Sequence, residues 1–170
     1  MSRKQVYLLD DDAAFLDSLR MVLEDQDYQV QGFTSYTDAL PILQTVSPVE
    51  PACLMLDVRM PEIGGVQVFD QLLQKGVDLP VVFLTGHGDV ALAVEVMGRG
   101  ALSFLEKPVD PDQLFDTLNL AFSSNVQCRR QSTVNRLLAA ERAELIDSLS
   151  TREAEVSNGI VEGLRAKAIA

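Results

Sequence analysis

Four short stretches of the chain, residues 6–9, 53–56, 81–84 and 102–105, are almost purely apolar and show no alternation with polar positions. Runs of this length predict strands buried on both faces, as in a parallel sheet covered by helices. A weaker strand is predicted over residues 28–33. Between these runs the apolar positions take up a helical period. Phe15, Leu19, Val22 and Leu23 form one stripe behind an acidic start, and residues 36–44, 66–75 and 90–97 predict the second, third and fourth helices. Turn residues fall between the segments: Pro61 with Gly64 and Gly65, Gly76, Pro80, Gly86 and Gly88, Gly98 and Gly100. Strand and helix alternate throughout, which predicts an α/β fold with a doubly wound, five-stranded parallel sheet and right-handed crossovers.

The pattern changes after Asp110. Leu114, Leu118, Ala121 and Phe122 fit a fifth helix against the sheet, closing a first domain over residues 1–122. Ser123, Ser124 and Asn125 interrupt it, and Val134, Leu138, Leu145 and Leu149 then predict a linker helix over 123–149. That helix either runs out to coil with a partner or folds back on its own domain. Ser150-Thr151-Arg152-Glu153 has the spacing of a capping box, so a new helix starts there and stops at Gly163, opening a third segment over 150–170.

Charge narrows the partners. Residues 1–110 hold 7 Lys+Arg and 17 Asp+Glu, net −10, while residues 111–170 hold 7 and 8, net −1. The first part would repel a phosphate backbone. Cys53 and Cys128 show no metal or redox spacing and read as free thiols of a reducing, cytoplasmic compartment. No apolar run is long enough for a signal segment or a membrane span.

In open α/β sheets ligands sit beyond the carboxyl ends of the strands, at the point where the strand order reverses. The residues delivered there are Asp10 and Asp11, Asp57, Thr85 and Lys107. Any one alone would read as a cap or a turn residue; together they do not. Three carboxylates in one place repel one another unless a cation intervenes. Hard oxygen donors without a Cys/His cluster point to Mg²⁺ rather than Zn²⁺. Beside such an ion Asp57 can act as nucleophile toward a phosphoryl group, Lys107 supplies fixed charge, and the Thr85 hydroxyl can donate to a phosphoryl oxygen.

Leu8-Leu9-Asp10-Asp11-Asp12, Leu56-Asp57-Val58-Arg59-Met60-Pro61, Leu84-Thr85-Gly86 and Glu106-Lys107-Pro108 resemble the signature of two-component response-regulator receiver domains. Arg59-Met60-Pro61 and the segment from Thr85 to Val90 resemble the FixJ branch of that family. The likeness spans roughly residues 4–122 and implies a flavodoxin-like (βα)5 receiver fold. It implies Asp57 as phosphoacceptor from a sensor histidine kinase and Asp11 as the main carboxylate for Mg²⁺. Asp10 would help through water, and the backbone carbonyl of Arg59 would be a further ligand. Thr85 and Phe104 would form a switch pair, the ring turning inward as Thr85 closes on the phosphoryl group. The Lys107–Pro108 bond would be cis. Phosphorylation would drive homodimerisation through the face of the fourth helix, fifth strand and fifth helix and/or through the linker helix.

Residues 150–170 resemble the opening of a LuxR-type helix-turn-helix, in Leu149-Ser150-Thr151-Arg152-Glu153-Ala154-Glu155-Val156, Glu162-Gly163-Leu164, Lys167 and Ile169-Ala170. This implies a transcription regulator that reaches DNA only through a recognition helix lying beyond this truncated segment. Inside the receiver, Gly64 stands where that family usually caps the third helix with Ser, Asp or Asn, which implies a looser loop beside Asp57.

Four further residues read as accessory: His87 as a surface residue tuning hydrolysis, Asp12 as facing solvent or capping the helix, and Arg129 with Arg130 as a solvated helix face. Two rivals compete with a signalling switch. A phosphatase working through an aspartyl-phosphate would place a second Asp two residues beyond the nucleophile as general acid/base, and Arg59 occupies that position. A nucleotide-binding flavodoxin-like module would need a glycine-rich loop after the first strand, where Asp10–Asp12 stand instead. The sequence therefore favours a phosphoacceptor switch over an enzyme.

Overall fold

The computed structural model describes residues 4–47, 51–86 and 90–123. Five parallel strands, β1 (Gln5–Leu9), β2 (Gln29–Phe33), β3 (Ala52–Asp57), β4 (Val81–Thr85) and β5 (Ser103–Glu106), pair in the order β2-β1-β3-β4-β5. Helices α1 (Ala13–Glu24), α2 (Tyr36–Leu43), α3 (Gly65–Gln74) and α4 (Val90–Gly98) connect them, and a fifth, α5, covers residues 111–123. The order reverses between β1 and β3, so the crevice where α/β sheets place their ligands opens above Leu9 and Asp57.

The sheet is covered on both faces, as the unbroken apolar runs require. On one side Tyr36, Ala39 and Leu43 of α2, Val68, Phe69 and Leu72 of α3 and Val96 of α4 pack on Leu9, Leu54, Leu56 and Phe83. On the other, Leu16, Leu19 and Leu23 of α1 and Leu114, Leu118, Ala121 and Phe122 of α5 pack on Val6, Leu8, Cys53, Met55, Val82, Leu84 and Leu105. Each fully buried leucine or phenylalanine contributes about 1.5–3 kcal/mol over its exposed state. Tyr28, just before β2, stacks against Phe115 and Phe122 of α5 at centroid distances of 6.3 and 5.9 Å, which ties the end of α5 to the foot of the sheet.

Two expectations are corrected. Val22 is 40% exposed, and the buried stripe of α1 is Leu16, Leu19 and Leu23. Asp12 Oδ1 accepts the amides of Ala14 and Phe15 and caps the helix at Ala13, and packing on the sheet takes Leu16 rather than Val22 beside Leu19 and Leu23. The fifth strand is not buried on both faces. It lies at the sheet's edge, and Phe104 is 42% exposed on it while Leu105 is buried. Asp110 caps α5, accepting the amide of Gln113 at 3.1 Å. Cys53 is a free thiol in the core, where burial pushes it up to about 12. Among the described residues no helix is long and apolar enough to cross a membrane. The expectations for His87, Cys128, Arg129, Arg130, the linker helix and residues 150–170 lie outside the described residues.

Candidate functional site

The strand register assembles the site. Leu9 pairs with Leu56, so Asp10 emerges beside Asp57; Asp57 pairs with Leu84, so Thr85 comes next; Thr85 pairs with Glu106, so Lys107 follows. Backbone bonds extend the ladder past the strands, from the amide of Asp10 to the Phe33 carbonyl (3.1 Å), from Val58 to Leu84 (3.0 Å) and from Lys107 to Thr85 (2.8 Å).

Asp10 and Asp57 are buried and Asp11 is exposed, and one carboxylate oxygen from each lies within 4.8 Å of the others. Lys107 bridges the buried pair. Its Nζ donates to Asp10 Oδ2 at 2.5 Å and lies 2.8 Å from Asp57 Oδ1. The second oxygens are engaged by backbone: Asp12 donates to Asp10 Oδ1 at 2.9 Å and Arg59 to Asp57 Oδ2 at 3.0 Å. Burial raises the Asp57 carboxyl above its ordinary value, and the charge of Asp10 adds to the rise; Lys107 and the Arg59 amide oppose it without cancelling it. Burial works against the Lys107 ammonium, but Asp10 and Asp57 outweigh it and hold the group above the ordinary lysine value.

A third carboxylate, all-oxygen donors and an Asp57 whose charge is only partly compensated suit a hard divalent cation, so the residues fit Mg²⁺. For Arg59 it is the amide that meets Asp57. The Lys107–Pro108 bond is cis.

Thr85 is 3% exposed, and its hydroxyl donates to the Leu105 carbonyl at 3.4 Å, away from Asp57. The Phe104 ring meanwhile faces outward. Gly64 is the N-cap of α3 with no side-chain cap, yet the helix forms at Gly65, whose amide donates to the Val58 carbonyl at 2.9 Å.

Two neighbours of Asp57 were not read from sequence as part of the site. Phe15, read there as part of a core stripe, places its ring 4.4 Å from Lys107 Nζ. Gly65 stands against the backbone of Asp57, where a Cβ would lie 2.1 Å from the Asp57 carbonyl oxygen. The pattern offered only one hint of either: Phe15 is three residues past the capping Asp12, on the turn that faces the strand ends.

Comparison with known proteins agrees with this geometry. The response regulator receiver domain family matches residues 6–119. The chain is 36% identical over 169 residues to the transcriptional regulatory protein FixJ of Bradyrhizobium diazoefficiens, covering 99% of this chain and 79% of that protein. It is 35% identical over 158 residues to the response regulator protein TodT of Pseudomonas putida, covering 93% of this chain and 66% of that one. The crystal structure of full-length FixJ from B. japonicum superposes with a TM-score of 0.69 at 34% identity, over 82% of this chain and 68% of that one. The chain belongs to the response regulator receiver domain family of two-component systems.

Proposed function

We propose that this chain is the phosphoacceptor switch of a cytoplasmic two-component regulator, taking a phosphoryl group on Asp57 from a sensor histidine kinase. The observation that carries the reading is the contact of Lys107 with both Asp10 and Asp57, beside Asp11. An Asp57 oxygen forms the new O–P bond as the P–N bond of the donor phosphohistidine breaks, and the electron pair stays on the imidazole. Lys107 keeps Asp57 ionised for the attack and meets the charge that gathers on the phosphoryl oxygens. Asp10, Asp11 and Asp57 would hold Mg²⁺, with the Arg59 carbonyl as a further ligand; the bound ion supplies positive charge for the arriving phosphoryl group. Arg59 cannot act as general acid/base two residues beyond the nucleophile, which favours a group that is held over one turned over by a phosphatase.

Thr85 leaves the Leu105 carbonyl to donate to a phosphoryl oxygen, and Phe104 moves into the space it vacates. Val94 and Met97 of α4, Phe104 of β5 and Leu120 of α5 are exposed apolar residues on the elements of the expected dimer face. The output is transcriptional control, as the names of FixJ and its relatives suggest, and residues 150–170, which resemble part of a LuxR-type helix-turn-helix, support that reading. Light scattering with and without BeF₃⁻ and Mg²⁺ tests the output: a doubled mass is expected, and Thr85→Ala should bind the analogue without dimerising. An unchanged mass in the wild type would remove dimerisation from the account.

A further inference from the structure

Phe15 lies in the first turn of α1, and the contacts around it close into a ring. Asp10 Oδ1 accepts the amide of Asp12 at 2.9 Å, and Asp12 Oδ1 accepts the amide of Phe15 at 3.1 Å. The Phe15 ring stands 4.4 Å from the Lys107 ammonium, which returns to Asp10 Oδ2 at 2.5 Å. The backbone turn that starts α1 thus aims an aromatic face at the cation serving the acceptor. That face carries the negative end of the ring quadrupole and attracts an ammonium that has shed part of its water. The Lys107 side chain is 25% exposed, so the ring occupies a side of the ammonium that solvent would otherwise take.

We propose that Phe15 is a positioning residue for phosphoryl uptake, its ring holding the Lys107 ammonium against the Asp57 acceptor oxygen. The inference rests on the reading of Asp57 as phosphoacceptor and adds to it a role for the first helix. A packing role alone needs only apolar bulk, since Phe15 also borders the cluster of Leu16, Leu19 and Leu23, and leucine would satisfy it. The contact with the ammonium needs an aromatic face.

The experiment compares the full chain with Phe15→Leu and Phe15→Tyr, using acetyl phosphate and Mg²⁺ as the probe. Labelling should slow roughly three- to tenfold in Phe15→Leu and recover in Phe15→Tyr. A second readout needs neither metal nor phosphoryl group: the Lys107 ¹⁵Nζ–H signal at low temperature, slow to exchange in the wild type and in Phe15→Tyr, should broaden away in Phe15→Leu. Leucine labelling at the wild-type rate, or tyrosine failing as leucine does, overturns the inference alone. A wild type that is not labelled at all overturns the acceptor reading and this inference with it.

Discussion

Gly65 and Asp57 touch through backbone: a Cβ at position 65 would lie 2.1 Å from the Asp57 carbonyl oxygen and 3.0 Å from the Val58 Cα. The helix that follows Asp57 therefore starts too close to it for a side chain at position 65. Gly65→Ala forces α3 and the Asp57–Val58 peptide apart, and urea unfolding should register a loss of about 1–3 kcal/mol, outweighing the better helix propensity of alanine. Gly64 is the control. A Cβ there meets only the Val58 carbonyl, at 3.9 Å, so Gly64→Ser should be neutral or slightly stabilising by supplying a cap. Equal effects at the two positions would contradict the steric account.

The buried Asp57 carboxylate costs the fold stability. Burial raises the Asp57 carboxyl above 3.8, so the folded state holds this proton more tightly than the unfolded chain does. Asp57 therefore contributes nothing while both states are protonated. Stability is lost as pH climbs from that ordinary value through the raised one, and the loss is complete above it. Asp57→Asn should melt several degrees higher than the wild type in metal-free buffer at neutral pH. The gap should narrow below pH 4 and on adding Mg²⁺. A lower melting temperature for the variant would refute this.

Lys107 offsets part of that cost. Removing it as Lys107→Met leaves Asp10 and Asp57 facing each other without a counter-charge, and the expected loss is about 1–3 kcal/mol in metal-free buffer. The ammonium is held above 10.5, so its contribution is fully present below that value and disappears as pH rises through the folded one. Thermal melts above pH 10.5 should fall for the wild type and lack this component in the variant. Identical alkaline limbs would mean that Lys107 does not stabilise the pair.

Among the described residues the buried Tyr36 hydroxyl has no hydrogen-bond partner, and burial raises its pKa. An unsatisfied buried hydroxyl costs free energy that phenylalanine does not. Tyr36→Phe should therefore gain about 1 kcal/mol in denaturant unfolding. A loss of similar size would point to a partner for the hydroxyl in solution.

Much of this was legible in the sequence because parallel strands must be apolar on both faces. Residues 6–9, 53–56 and 81–84 are dry runs that end on Asp10, Asp57 and Thr85, and the strand-end rule turns those endings into one site. Edges were less legible. Phe104 sits in an apolar run like the others, but β5 has a neighbour on one side only, and its ring faces out. Val22 and Leu16 exchanged roles because both lie at helical spacing from the shared positions Leu19 and Leu23, and only packing on the sheet selects which of them faces inward. Phe15 and Gly65 stayed hidden for another reason. An aromatic in a helical stripe reads as core and a glycine after a glycine reads as a turn, and only the fold brings the first to Lys107 and the second to Asp57.

The central claim is that Asp57 is the residue that carries the phosphoryl group. Treatment with acetyl phosphate and Mg²⁺, then borohydride reduction of the acyl phosphate and peptide mass spectrometry, reads the modified position directly. Homoserine at position 57 in the wild type, and no such product in Asp57→Asn, is the predicted result. Reduction at Asp10 or Asp11 instead, or undiminished labelling of Asp57→Asn, would contradict it.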